Sequence, residues 1–301
     1  MHPFVGRASA RHPPSPIVGR VSARDDVGLK PDLPARDDLG LTPDLPDRRV
    51  ALVGLLSGLL LVLTWLLPPA HAGLPDTIAK VRSSVVAVGT YQTTRRPPSV
   101  FRGTGFVVGD GRYVATNNHV LPEVLDEANR ERLAVFAGHG TTQDVRTAKV
   151  IARDPDHDLA LLEIAGAPLK PLRLAEGAVK EGQDVAFTGF PVGMVLGLYH
   201  ATHRGIVAAV SPMVIPAIGG KDLSPQAIKA MREPFDVYQL DATAYPGNSG
   251  SPVYDPETGE VIGVINSVFV KRTKEAVLTD PSGITYAIPT RFLKALLGRA
   301  R

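Results

Sequence analysis

The chain has 301 residues, a length at which a single core stops growing and either one large domain or two modest ones can form. Its 33 basic residues are offset by 30 acidic ones spread along the chain, and no Lys/Arg block is long enough to track a phosphate backbone, so nucleic-acid binding is not expected. Cysteine is absent, which excludes thiol catalysis, disulfides and cysteine-ligated zinc, while 29 glycines and 27 prolines point to a turn-rich, all-β body.

Residues 1–49 carry a tandem repeat, ARDDVGLKPDLP at 23–34 followed by ARDDLGLTPDLP at 35–46. Prolines and charge pairs at that density cannot bury a core, so this segment reads as disordered. Residues 50–72 follow as an export element. Arg48 and Arg49 precede an uncharged run from Val50 to Leu67, and Ala70 and Ala72 form a small-x-small cleavage site. The run approaches membrane-spanning length, so a signal peptide cleaved after Ala72 and a retained signal anchor both fit. In either case the remainder is exported, periplasmic or secreted, and any membrane contact is made through this segment alone.

From Gly73 onward a short helical pattern at 75–81 gives way to strands separated by turns. Residues 73–179 hold six candidate strands, at 85–91, 104–108, 113–116, 133–137, 146–151 and 159–164, with Gly109-Asp110-Gly111 marking a hairpin turn. Residues 180–301 hold six more, at 185–188, 205–210, 237–242, 251–254, 261–269 and 284–288. Two groups of six short strands predict two antiparallel β-barrels. Ser224 as N-cap and Pro225 at the first helical position start a helix over 224–233, inside what reads as a surface insertion. An amphipathic helix over about 290–297 closes the chain through Phe292, Leu293, Leu296 and Leu297.

Peptide hydrolysis without metal or thiol requires a hydroxyl nucleophile, a base, a group that holds the base, and donors for an oxyanion. Pro246-Gly247-Asn248-Ser249-Gly250-Ser251-Pro252 flanks one serine with glycines, which permit a tight turn in which the Gly247 and Ser249 N–H groups converge. His119 stands where the strand Val114-Ala115-Thr116-Asn117 ends, and Asp158 immediately precedes the apolar run Leu159-Ala160-Leu161-Leu162. Each residue alone has an ordinary structural reading: a β-turn serine, a loop histidine, a strand-start aspartate. Their order, with His and Asp in the first strand group and Ser in the second, argues against coincidence. An α/β-hydrolase would instead place its histidine last. His200-x-x-His203 lacks a third ligand, so no metal or other cofactor is expected.

From about Leu74 to Leu297 the chain resembles the trypsin-like serine peptidases, specifically the bacterial HtrA/Deg branch. The resemblance rests on Gly103-Thr104-Gly105-Phe106, Thr116-Asn117-Asn118-His119-Val120, Asp158-Leu159-Ala160-Leu161-Leu162, Gly189-Phe190-Pro191-Val192-Gly193, Arg204-Gly205-Ile206-Val207, Gly247-Asn248-Ser249-Gly250 and Tyr286-Ala287-Ile288-Pro289. It implies two six-stranded barrels with a His119-Asp158-Ser249 triad in the cleft, an oxyanion hole from the Gly247 and Ser249 amides, and polypeptide substrates. By the same resemblance Thr243 is the floor of the specificity pocket, and a threonine floor predicts small apolar residues before the cut, since a buried cation would go unpaired there. A non-catalytic binding module that keeps the fold is the rival reading.

Three departures stand out. Only four residues follow Leu297, so the PDZ domain usual in this branch is not expected. Ser251 occupies a common glycine position, and the stretch from Ser211 to Phe235 exceeds the usual loop. Asn248 is uncharged, so activation by insertion of a freed N-terminal ammonium is not expected, and control by ordering of the long loop is.

Overall fold

Val85-Val86-Ala87-Val88 and Leu159-Ala160-Leu161-Leu162 are apolar at every position, although a strand directs alternate side chains to opposite faces. All eight residues are buried, so both faces of these strands must be covered. The computed structural model describes residues 73–140, 142–191, 197–213, 234–266 and 284–300, and within them the covering is explicit. The repeat segment, the export run and the helix expected at 224–233 lie outside the described residues.

Twelve strands among the described residues close into two antiparallel barrels. The first runs in spatial order β1 (Val85–Tyr91), β2 (Ser99–Val108), β3 (Tyr113–Asn117), β6 (Leu159–Ile164), β5 (Thr142–Asp154) and β4 (Arg132–His139), and β4 returns to pair with β1. The second runs β10 (Pro252–Tyr254), β11 (Val261–Asn266), β12 (Ile284–Pro289), β9 (Asp236–Asp241), β8 (Ala201–Pro212) and β7 (Asp184–Gly189), and β7 closes on β10. Each of the twelve strands read from the sequence corresponds to one of these. β2, β5 and β8 are longer than the sequence predicts: β2 starts at Ser99 rather than Thr104, and the polar ends of β5 and β8 carry no apolar signal. Their pairing is set by the ladders: β5 continues to Thr142 against His139 of β4, and β8 continues to Pro212 against Asp236 of β9. Bulges at Val150/Ala152 and Val207/Ala209 let these long strands bend around their barrels.

One face of β1, β2, β3 and β6 fills the first barrel with Val86, Val88, Val107, Val114, Ala160 and Leu162. The other face forms seams with the second barrel. Phe106, Ala115, Leu159 and Leu161 meet Val264 and Ile288 on one side. Ala87 and Phe136 meet Ala186, Phe190 and Tyr254 on the other. α1 (Leu74–Arg82) buries Thr77 and Val81 at the second seam. α2 (Thr290–Ala300) starts directly after β12 and buries Leu293, Leu296 and Leu297 in the first, as its amphipathic pattern predicts. Each seam is thereby capped by a helix.

The second seam also holds His200. Gly140 and Leu198 exchange backbone hydrogen bonds of 2.9 and 3.2 Å, joining the barrels through one bridge. Beside it His200 packs on Phe190, its Nε2–H donating to the Val85 carbonyl at 3.1 Å, while Nδ1 is buried without a partner among the described residues. Burial holds this imidazole down at about 4; the Val85 bond opposes that, and the charges of His139 and Arg82 reinforce it. Burial lowers His203 as well. Between about pH 6.5 and pH 4 the unfolded chain therefore binds a proton at His200 that the folded chain refuses, and folding stability falls as pH drops through that window. Urea midpoints measured at pH 7 and pH 4.5 should diverge less for His200→Gln than for the wild type; equal divergence would assign the acid sensitivity elsewhere.

Candidate active site

β3 ends at Asn117, and a single 3-10 turn over Asn118–Val120 presents His119 with its ring partly exposed. Opposite it, the four residues between β5 and β6 turn the chain back after the Asp154–Leu159 pair. The last of them, Asp158, has φ +49°, a left-handed conformation that costs a non-glycine residue about 1–2 kcal/mol. Hydrogen bonds offset that cost. The Asp158 carbonyl accepts from Asn117 Nδ2 at 3.0 Å and from the Asn118 N–H at 3.1 Å. Its Oδ1 accepts from the His119 N–H at 2.9 Å. Oδ2 lies 2.5 Å from His119 Nδ1 and accepts from Asn266 Nδ2 at 2.7 Å. A carboxylate can only accept, so Nδ1 carries a proton and Nε2 faces away from the aspartate.

Ser249 comes from the second barrel, on the turn that leads into β10, and is itself buried. The turn is docked on β2 through Thr104. The Thr104 N–H donates to the Ser249 carbonyl at 2.8 Å, and the Thr104 hydroxyl donates to the Gly247 carbonyl at 2.7 Å while accepting from the Phe190 N–H at 3.1 Å. The Thr104 carbonyl accepts from Thr116 Oγ1 at 2.7 Å, three residues before His119. Two glycines make the approach possible. A Cβ on Gly103 would lie 2.7 Å from the Val120 side chain and 3.0 Å from the Ser249 carbonyl. Gly250 has φ +86°, and a Cβ there would overlap the Thr104 carbonyl. His119 and Ser249 are thus brought to the same stretch of β2 from its two sides.

His119 is coupled to Asp158 directly, while the Ser249 turn is tied through Thr104 to the strand that leads to His119; a Ser249–His119 hydrogen bond is not formed. Such bonds are often loose without substrate and tighten in the reacting complex. The Gly247 and Ser249 N–H groups donate to no acceptor among the described residues, which leaves them available to an incoming oxygen. Thr243 lies partly exposed between β9 and the Ser249 turn, and its neighbours are fixed by Thr285, whose Oγ1 donates to the Ala242 carbonyl and accepts from the Ala244 N–H at 3.0 Å. Asn248 and Ser251 are fully buried, and the Ser251 Oγ and both Asn248 amide atoms have no hydrogen-bond partner among the described residues. His200 and His203 face different neighbours, the first Phe190 and the second Phe187 at 4.7 Å. Sequence reasoning did not single out Asn266, Asn117 or the role of Thr104. Asn266 offers no local signal, being one amide at the end of an apolar run, and only the packing of the second barrel on the first carries it to Asp158.

Residues 103–264 match the trypsin-like peptidase domain family. A Brucella suis protein named a "Probable periplasmic serine endoprotease DegP-like" is 32% identical over 292 residues, covering 76% of this chain and 49% of the relative. The serine protease Rv3671c of Mycobacterium tuberculosis is 32% identical over 197 residues, covering 65% of this chain and 41% of the relative. The chain thus spans about half the length, or less, of the curated relatives it matches. The crystal structure of the active form of that M. tuberculosis protease superposes with a TM-score of 0.53 at 25% identity, over 74% of this chain and 82% of the other.

Thr104→Val keeps the shape and strand preference of the side chain but strands the Gly247 carbonyl and the Phe190 N–H. The expected destabilisation is about 1–3 kcal/mol, read from the urea midpoint, with Thr104→Ser close to wild type. A Thr104→Val midpoint equal to wild type would show that the hydroxyl does not hold the turn.

Proposed function

Because the chain belongs to the trypsin-like peptidase family, we propose that it is a serine endopeptidase that cleaves polypeptides through Ser249, His119 and Asp158. The observation that carries this reading is the short Nδ1–Oδ2 contact of His119 with Asp158, held beside a serine turn that Thr104 fixes in place. Ser249 Oγ attacks the scissile carbonyl as His119 Nε2 takes its proton. The Gly247 and Ser249 amides receive the oxyanion. His119 then returns the proton to the leaving amine, and water, activated by the same nitrogen, hydrolyses the acyl-enzyme. Asp158 holds the imidazole in the Nδ1–H tautomer throughout and stabilises the imidazolium formed at each tetrahedral stage.

We further propose that the protein acts outside the cytoplasm. The charge-flanked apolar run at 50–67 and the periplasmic name of the Brucella relative support this. Among the described residues no helix is long and apolar enough to cross a membrane, and residues 50–67 lie outside them. Within the proposed site, Thr243 floors the specificity pocket and selects small apolar residues before the cut.

Ser249→Ala and His119→Ala are each expected to lower kcat by about a million-fold with the fold intact, as when a triad member that acts as one unit is removed. Asp158→Asn should cost about ten-thousand-fold by admitting the wrong tautomer. Casein hydrolysis and fluorophosphonate labelling of the purified protein test all three; a wild-type protein that neither cleaves nor labels would leave a binding module as the function. On a peptide library, Val, Ala, Ile or Leu should dominate before the cut, and a profile led by Arg or Lys would remove Thr243 from the pocket floor.

A further inference from the structure

The turn that carries Asp158 is gripped from its outer side by groups that take no part in the chemistry. Within the turn only one backbone bond forms, from the Asp158 N–H to the Pro155 carbonyl, at a long 3.3 Å. The residue before Asp158 is His157, and its ring lies between two anchors. On one side Nδ1–H donates to Asp154 Oδ2 at 2.9 Å, while the His157 N–H reaches Asp154 Oδ1 at 3.3 Å. On the other side the ring stacks on Phe292 of α2 at 3.8 Å between centroids and 21° between planes, and meets the edge of Phe235 at 4.6 Å. Phe235 and Phe292 contact each other at 5.2 Å. The buried carboxylate of Asp154 also accepts from Arg299 Nη2 at 3.2 Å. Phe292 and Arg299 are seven residues apart, two helical turns along one face of α2, so a single helix face supplies both contacts.

We propose that His157 is a positioning residue for the triad, clamped by Phe292, Phe235 and the Asp154–Arg299 pair so that the next residue, Asp158, stays in its left-handed conformation with its carboxylate on His119. The inference rests on the triad reading above. The physical reason is local. Asp158 at φ +49° relaxes toward ordinary backbone unless both of its neighbours are held. On the inner side it is held by the Asn117 side chain, the Asn118 and His119 amides, and Asn266. On the outer side the peptide before it is held through the His157 ring. Releasing that ring lets the 157–158 peptide rotate and swings Oδ2 away from Nδ1, a displacement that acts on turnover rather than on substrate affinity.

The test compares wild type with His157→Ala, His157→Phe and Phe292→Leu. His157→Ala should lower kcat by about tenfold to a hundredfold, the scale of a catalytic group misplaced by roughly an ångström, with KM within about twofold. His157→Phe keeps the stack on Phe292 and should recover most of that loss. In the Ser249→Ala background of each variant, the far-downfield proton NMR signal of His119 Nδ1–H should move upfield or broaden for His157→Ala and stay near wild type for His157→Phe. A folded His157→Ala protein with wild-type kcat, or with an unmoved His119 signal, overturns the proposal. So does a loss of activity carried by KM. If His157→Ala does not fold, Phe292→Leu carries the same two readouts: a lowered kcat with a shifted His119 signal supports the clamp, and neither refutes it. A wild-type protein without hydrolytic activity would end the triad reading and with it the kinetic role of His157, whereas a failure of the clamp alone shows as an active wild type whose His119 resonance and kcat do not respond to His157→Ala.

Discussion

Thr104 joins the two barrels where the cleft residues meet, and it does so with every polar atom it has. Its N–H and hydroxyl hold two carbonyls of the Ser249 turn, its hydroxyl also receives the Phe190 amide, and its carbonyl receives the Thr116 hydroxyl from the strand leading to His119. Buried polar groups are tolerated when each finds a partner, and a set this closely shared permits few other arrangements. The positions of Gly103 and Gly250 follow from it, since a side chain at either would push apart the strands that Thr104 draws together.

The same logic extends outward from the cleft. Strands buried on both faces let the barrels share apolar seams, and α1 and α2 cap those seams. α2 does more than fill space, because Phe292 and Arg299 reach the turn before β6. Asp158 is consequently approached from four directions: from β3 through Asn117, from the His119 turn, from β11 through Asn266, and from α2 through His157. A single strained residue with this many supports is the kind of backbone feature that functional sites retain.

Much of the architecture was legible in the chain itself. The strand positions followed from apolar runs and turn residues, and the ends of β1 and β6 agree with the expected ones at both termini. Strand ends failed where polar residues continue a ladder, as at Thr142–Val145 of β5, because hydrogen bonds to a partner strand leave no trace in local hydrophobicity. His119, Asp158 and Ser249 could be singled out because each sits in a recognisable local setting. Asn266 could not, since an amide at the end of Val261-Ile262-Gly263-Val264-Ile265 has no feature to mark it until the packing of the second barrel on the first brings it 2.7 Å from the carboxylate.

What the sequence determined by itself was therefore the strand count and grouping, the amphipathic α2, the absence of thiol chemistry, and the three residues whose local context suits a nucleophile, a base and an acid. These depend on short-range pattern: the period of side chains along a strand, the glycines of a turn, the charge beside an apolar run. Tertiary structure alone decided which groups restrain those three. Thr104 and Asn266 lie 145 and 108 residues from Ser249 and Asp158, and Phe292 lies 135 residues from His157, so the packing of the two barrels and of α2 against them, not proximity in the chain, selects these partners.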